Sequence, residues 1–248
     1  MSSNEFRNLF DSLVSATDEY TKLIPMLKET VVPALSNTEA LLDVGAGPGL
    51  ITEPLSTHFG EITIIEPDSI YCLNATEKAL SQGKLVTAFN GSWDDVSLGK
   101  RRYDLVVCSH VLYFVETFEW GHFIDKMISY LAPGGRLAVI LVARDDNSNA
   151  VIRQSLNIQE VGSYPFSTAV VEYLRGQEHK FDVLSFEASI SADTPQKLLD
   201  IMALFPILQY DTKSTEAQRL AMINEHFNVG ESYQMPYAVD VVTVKAPR

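Results

Sequence analysis

The sequence predicts an α/β fold, a mostly parallel sheet with helices on both faces, and three observations predict it. Apolar runs of strand length alternate strictly with helix-like stretches through residue 142. One of those runs, Tyr103-Asp104-Leu105-Val106-Val107-Cys108, is almost wholly apolar, as befits a parallel strand covered on both faces. The first run, Leu41-Leu42-Asp43-Val44, passes straight into Gly45-Ala46-Gly47-Pro48-Gly49, a glycine-rich turn before a helix. Strand, tight turn and helix in that order make a doubly wound sheet, which binds ligands at the carboxyl ends of its strands.

Each element has a local reason. Phe6, Leu9, Phe10, Leu13 and Val14 share one helical face, and Tyr20, Leu23, Ile24 and Leu27 form a second run, so two short helices should precede the sheet and cap a pocket. Strands follow at Ala40–Val44, Glu61–Ile65, Leu85–Phe89 and Tyr103–Cys108, separated by helices from about Leu50 to His58 and Ser69 to Ser81. A helix from Phe118 to Tyr130 should stop at Leu131-Ala132-Pro133-Gly134-Gly135, where proline and glycine end it, and a fifth strand should run from Leu137 to Val142. Residues 147–178 then read as helices and loops, Phe181–Ile190 as a strand, Pro195–Phe205 and Thr215–His226 as helices, and Tyr237–Val244 as the last of seven strands. Without a linker, repeat or low-complexity run, residues 1–248 read as one domain: a helical cap over 1–38, a cofactor-binding core over 39–145, and a substrate-side insertion with closing strands over 146–248.

Composition narrows the function. The formal net charge of -13 argues against broad contact with nucleic acid or an anionic membrane, since both need a basic face. The Lys100-Arg101-Arg102 run reads as a solvated turn. No stretch of some eighteen apolar residues occurs, and the N-terminus has no apolar signal core, so the expectation is a cytoplasmic protein, monomer or homodimer. Cys72 and Cys108 sit in apolar contexts without metal-ligand spacing, and His58, His122, His179 and His226 form no metal-ligand grouping either. No metal is expected.

The glycine turn reads as a cradle for a nucleoside-containing cofactor. A Cβ at Gly45 or Gly47 would hold the backbone away from a ligand. Glu66, at the end of the second strand, lies 21 positions beyond Gly45, the distance expected of a carboxylate that accepts ribose hydroxyls. A dinucleotide site would carry a third glycine where Leu50 stands. Asp43, just ahead of the turn, would repel a pyrophosphate and could hold a cationic amino acid.

Together with Glu66-Pro67-Asp68, Tyr103–Val107, Ser109-His110-Val111-Leu112-Tyr113 and Leu131–Leu137, this turn resembles the class I S-adenosylmethionine-dependent methyltransferases over most of residues 40–142. The resemblance implies a Rossmann-like, seven-stranded, mostly parallel sheet with an antiparallel last strand. It implies S-adenosylmethionine as cofactor, with the methionine end at Asp43, the turn at Gly45, Ala46, Gly47 and Gly49, and the ribose at Glu66 beside Pro67. The adenine would lie near Ser92 and Trp93; many members have an acid where Ser92 stands, and Asp94 could substitute. Trp93 reads equally as an adenine wall and as core filler. Ser109, at the exit of the fourth strand, completes the cofactor set.

A thinner likeness is similar to the histamine N-methyltransferase-type small-molecule enzymes, and it locates a substrate pocket. It places substrate contacts on His110, on an acid of the cap at Glu19 or, with a slip of one residue, Tyr20, and on Tyr237 before the last strand. Tyr113 would be a pocket wall or core. His110 could act as a general base or orienting group, or pack locally. Arg144 could hold a substrate carboxylate or pair with Asp145 or Asp146, and Glu116 and Glu119 could lend the mouth a negative potential. The expected activity is methyl transfer to an N or O atom of a small molecule. The alternatives are a non-catalytic S-adenosylmethionine-binding regulator or scaffold, and a protein side-chain methyltransferase.

Overall fold

Capping chemistry sets where the helices begin. The Ser2 hydroxyl accepts from the Glu5 amide while the Glu5 carboxylate accepts from the Ser2 amide, opening α1 at Ser3–Ala16. Asp68 accepts from the amides of Ile70 and Tyr71 and starts α4, Ser69–Ser81, at the residue its sequence indicates. The computed structural model describes residues 2–143, 147–158, 166–209 and 213–246. Between those two helices lie α2 (Glu19–Met26), continued by a π turn at Leu27–Val31, then β1 (Ala40–Val44), α3 (Thr52–Ser56) and β2 (Glu61–Ile65). After α4 come β3 (Leu85–Phe89), β4 (Tyr103–Ser109), α5 (Trp120–Ser129) and β5 (Leu131–Val142). The remainder holds α6 (Asn147–Ser155), α7 (Ser167–Gly176), β6 (Phe181–Ala192), α8 (Pro195–Met202), α9 (Pro206–Gln209), α10 (Glu216–His226) and β7 (Tyr233–Lys245).

The seven strands form one sheet in the order β3-β2-β1-β4-β5-β7-β6, parallel through β5 and closed by an antiparallel last strand. Val44 of β1 pairs with Ile65 of β2 and with Cys108 of β4, so Gly45, Glu66 and Ser109 leave the sheet side by side at its carboxyl edge. The order 3-2-1-4-5 reverses at β1, which puts the glycine turn at the switch point.

The last strand, expected from Tyr237, starts at Tyr233, the helix expected from Leu50 to His58 spans Thr52–Ser56, and the start of the fifth strand fails by more. Pro133, Gly134 and Gly135 were expected to separate a helix from a strand that starts at Leu137, yet β5 begins at Leu131 and carries them as an irregularity. Tyr103 pairs with Leu131 and Leu105 with Arg136, so the register shifts across this segment. Gly135 is needed there because a Cβ would meet the carbonyls of Tyr103 and Asp104 at 2.8 and 2.9 Å.

The chain divides into two compact units. The larger holds Tyr20–Leu141, Ser167–Ser185 and Asp240–Arg248. Its core packs Leu42, Val44, Val106, Cys108, Ile124, Met127, Leu137, Val139, Val170 and Val242, all buried. The smaller holds Met1–Glu19, Val142–Phe166 and Phe186–Val239, with Leu198, Met202, Ile223 and Met235 buried. In it Thr17 bridges Ile190 in antiparallel fashion, and Asp18 accepts from the Ser189 amide at 2.7 Å.

Candidate active site

The glycine turn is shaped by backbone angles that side-chain-bearing residues reach only with strain: φ is +71° at Gly45, +53° at Gly47 and +82° at Gly49. The three differ in what surrounds them. A Cβ on Gly49 would meet Ala75 Cα at 2.8 Å, so this glycine lets α4 approach the turn. A Cβ on Gly45 would collide with the Val111 side chain, so the bareness of this glycine also lets the segment after β4 approach. A Cβ on Gly47 would meet nothing within 4 Å, and this is the open face of the turn.

Glu66 ties that face down. Its Oε2 accepts from the Gly47 amide and its Oε1 from the Asp68 amide, both at 2.8 Å, and each oxygen retains a lone pair for a further donor. Burial pushes its carboxyl up, the amides of Asp68 and Gly47 pull it down, and the Asp68 charge raises it again. Asp43 is 2% exposed and accepts from the Thr52 hydroxyl at 2.5 Å. Burial foremost, countered by Thr52 and reinforced by Glu66, pushes its carboxyl up to about 7. Neither carboxylate has a basic partner in the ion pairs of the described residues. The site is therefore a buried acidic pair under an open glycine turn, suited to a ligand with donors and positive charge.

Asn90 and Thr52 escaped the sequence reading. The Asn90 amide donates to the carbonyls of Glu66 and Pro67 at 3.0 and 2.9 Å and so clips the end of β3 to the end of β2. An amide directly after a strand was the available signal, but its partners lie 23 and 24 residues away in sequence.

Around the expected adenine position, the Ser92 hydroxyl donates to Asp95 Oδ2 at 2.7 Å, which closes its own turn, and Asp94 is exposed. Trp93 is 4% exposed, packs edge-on against Tyr130, and lies under the Lys126 ammonium at 4.5 Å from the ring centroid, the surroundings of a core side chain. Lys126 Nζ also donates to the carbonyls of Trp93, Asp94 and Val96 at 2.5, 3.3 and 3.0 Å.

At the exit of β4 the Ser109 hydroxyl is buried with no hydrogen-bond partner among the described residues. A buried hydroxyl left unpaired costs free energy, and such a group at a strand's carboxyl end fits a polar ligand there. His110 follows with φ +56°, its amide donating to the Ile140 carbonyl at 2.9 Å. His110 Nδ1 and Tyr113 Oη are 3.3 Å apart, with the rings stacked at 5.7 Å. Both side chains are half-buried, and Phe114 and Phe118 beyond them are exposed.

In the smaller unit the structure joins two of the expected pocket residues. Tyr237 Oη donates to Glu19 Oε2 at 2.9 Å and lies 2.6 Å from Thr17 Oγ1, with Glu19 and Tyr237 both buried. Tyr20 is half-buried and belongs to the larger unit. Arg144, with Asp145 and Asp146, lies outside the described residues. Both cysteines are free and buried, and no metal-binding group of histidine, cysteine and acid occurs among the described residues.

Residues 41–135, which span the turn, Glu66, Asn90 and the β4 exit, match the family model described as a methyltransferase domain. Curated relatives match over part of the chain. Trans-aconitate 2-methyltransferase of Delftia acidovorans is 27% identical over 132 residues, 52% of this chain and 48% of that protein. Ubiquinone biosynthesis O-methyltransferase of Rickettsia canadensis is 30% identical over 100 residues, 40% of this chain and 41% of that protein. The chain spans about half or less of the length of the curated relatives it matches. Magnesium protoporphyrin IX methyltransferase of Synechocystis, solved with bound SAH, shares the methyltransferase fold at a TM-score of 0.60 and 13% identity, over 97% of this chain and 93% of that one.

Proposed function

We propose that the chain is an S-adenosylmethionine-dependent methyltransferase that moves a methyl group to an N or O atom of a small molecule. The observation that carries this reading is the open glycine turn set over two buried acids that have no basic partner among the described residues, beside the Ser109 hydroxyl, unpartnered among the same residues. A phosphate-bearing dinucleotide would meet those acids with like charge, whereas a sulfonium and an ammonium would meet opposite charge.

The residues divide the task. Gly47 gives close approach, Glu66 would accept from the ribose hydroxyls with its remaining lone pairs, Asp43 would balance a cationic amino acid, and Ser109 would gain the partner it lacks. The bound donor supplies a methyl group already activated on a positive sulfur. Positioning and exclusion of water then carry most of the rate. His110 would take the acceptor's proton where the acceptor must lose one, and would pass it to solvent.

The names of the relatives fit a small acceptor: one carries a polycarboxylate and another an O-methylation. The net charge of -13 supports a small-molecule partner over nucleic acid. Among the described residues no helix is long and apolar enough to cross a membrane, which agrees with the cytoplasmic setting we propose.

Titration calorimetry tests the reading. S-adenosylmethionine and S-adenosylhomocysteine should each bind at one site, and NADH should give no heat. Heat with NADH and none with the other two would overturn it.

A further inference from the structure

We propose that the sheet edge at β3, together with the flank of α4 beside it, is the surface through which two copies of this chain pair, strand against antiparallel strand about a two-fold axis at Thr87.

The main chain of β3 supplies the first observation. The Leu85 amide donates to the Gly60 carbonyl and the Glu66 amide to the Phe89 carbonyl, so Leu85, Thr87 and Phe89 face β2. Alternate residues of a parallel ladder turn the other way, and Val86 and Ala88 therefore point their amides and carbonyls out of the sheet. β3 is an end strand of the sheet, and among the described residues β2 is the strand it pairs with. Proteins commonly guard such an edge with charge, proline or a bulge. The opposite end strand, β6, carries Asp182 and Glu187, whereas Leu85-Val86-Thr87-Ala88-Phe89 has no charge, no proline and an unbroken register.

Helix α4 supplies the second. Tyr71, Cys72, Ala75 and Ala79 form its buried face, and Lys78 reaches Glu53 of α3 at 3.8 Å. Because α3 follows β1, the Lys78 flank of α4 looks inward along the sheet. At about 100° per residue Leu73 and Leu80 stand on the other flank, toward the β3 edge. They are 57% and 53% exposed, and Leu85 is 71% exposed.

The occupant that fits this surface is the chain itself. An antiparallel copy centred on Thr87 sets Val86 against the second copy's Ala88 and Ala88 against its Val86, so every outward amide and carbonyl of β3 finds a partner. Leu85 then stands against the second copy's Phe89, and the two α4 helices meet through Leu73 and Leu80 on one face of the joined sheet. A specific interface takes about 800 Å² from each partner, so a short strand needs a second contributor, and α4 is at hand. Charge points the same way. The chain as a whole stands at -13, yet residues 69–90 hold one acid, Glu77, against Lys78 and Lys84. Two acidic copies repel least where these segments meet.

Sedimentation velocity of the full chain at micromolar concentration tests the pairing, and the wild type should run as a dimer. Leu73→Glu, at an exposed position where the fold is not at stake, should raise the dissociation constant of the dimer about tenfold or more, since it sets a charge in an apolar contact. Ala88→Pro removes an outward donor that β2 does not use and should act likewise. Cysteine reads the register. In Thr87→Cys the two thiols would lie across the axis with Cα atoms about 4.5 Å apart, within disulfide reach, and mild oxidation should give a covalent dimer. In Val86→Cys they would be about 7–8 Å apart and should stay unlinked. The native Cys72 and Cys108 are buried and do not compete. A monomer at every concentration, a dimer that either Leu73→Glu or Ala88→Pro leaves at wild-type strength, or a Thr87→Cys chain that does not cross-link overturns the proposal.

Discussion

The glycine turn of the larger unit and the Glu19–Tyr237 group of the smaller unit, proposed for donor and acceptor, are built from different materials. The donor side is backbone and near-neighbour chemistry: left-handed glycines, an acid that grips two amides, and an aspartate bonded nine residues along the chain to Thr52. The acceptor-side candidates are held by side chains drawn from far apart, as where Tyr237 meets Glu19 across 218 positions. The difference teaches where each can vary. A site made of backbone angles tolerates little change, and a site made of side chains can be re-dressed on the same sheet.

Five variants press on that contrast. The largest effect should come from Asp43 by way of pH. Its carboxyl stands near 7 in the folded chain against an ordinary 3.8, so the fold holds a proton that the unfolded chain has lost. Its contribution is therefore most favourable below about pH 4, declines as pH rises toward 7, and is flat above. Three units are worth about 4 kcal/mol, and denaturation curves of Asp43→Asn should lose that share of the slope between about pH 4 and 7. An unchanged slope would show that the aspartate is solvated. Next, Gly49→Val should cost about 3 kcal/mol of stability, because the added atoms meet α4 and φ is +82°. Gly47→Ala, facing open space, should cost only about 1 kcal/mol by the same denaturation.

Glu66→Ala should weaken S-adenosylmethionine binding by tenfold or more in calorimetry, since a charge-assisted hydrogen bond is worth about 1.5–3 kcal/mol. The smallest change belongs to the far-drawn group. Tyr237→Phe removes the hydroxyl that serves Thr17 and Glu19 and should lower stability by about 1 kcal/mol. A larger loss than that of Gly49→Val would reverse the contrast.

Legibility in the sequence follows the same division. Strands β1, β2 and β3 and helix α4 were readable to the residue, because their signals are local: apolar runs, a glycine turn, and Asp68 as a cap. Asp43 in β1 and Glu66 just after β2 stand where the same local signals put them. The start of β5 was not, because its pairing with Tyr103 overrides the breaking tendency of Pro133 and Gly134. Nor was the true neighbour of Gly45, which is Val111, or the burial of Trp93 beneath a lysine from another helix. Spacing along the chain says nothing of such contacts; only the fold brings them together.

That lysine offers a use of its own. Lys126 has its three ammonium hydrogens directed at three carbonyls of one loop, and it must leave them before it can react with an acylating reagent. Its labelling rate therefore counts openings of the loop between β3 and β4, much as amide exchange counts openings of a helix. A quick footprint of this one amine, read by mass spectrometry against exposed lysines such as Lys197, would report whether a variant has loosened the wall beside the donor site without any substrate in hand.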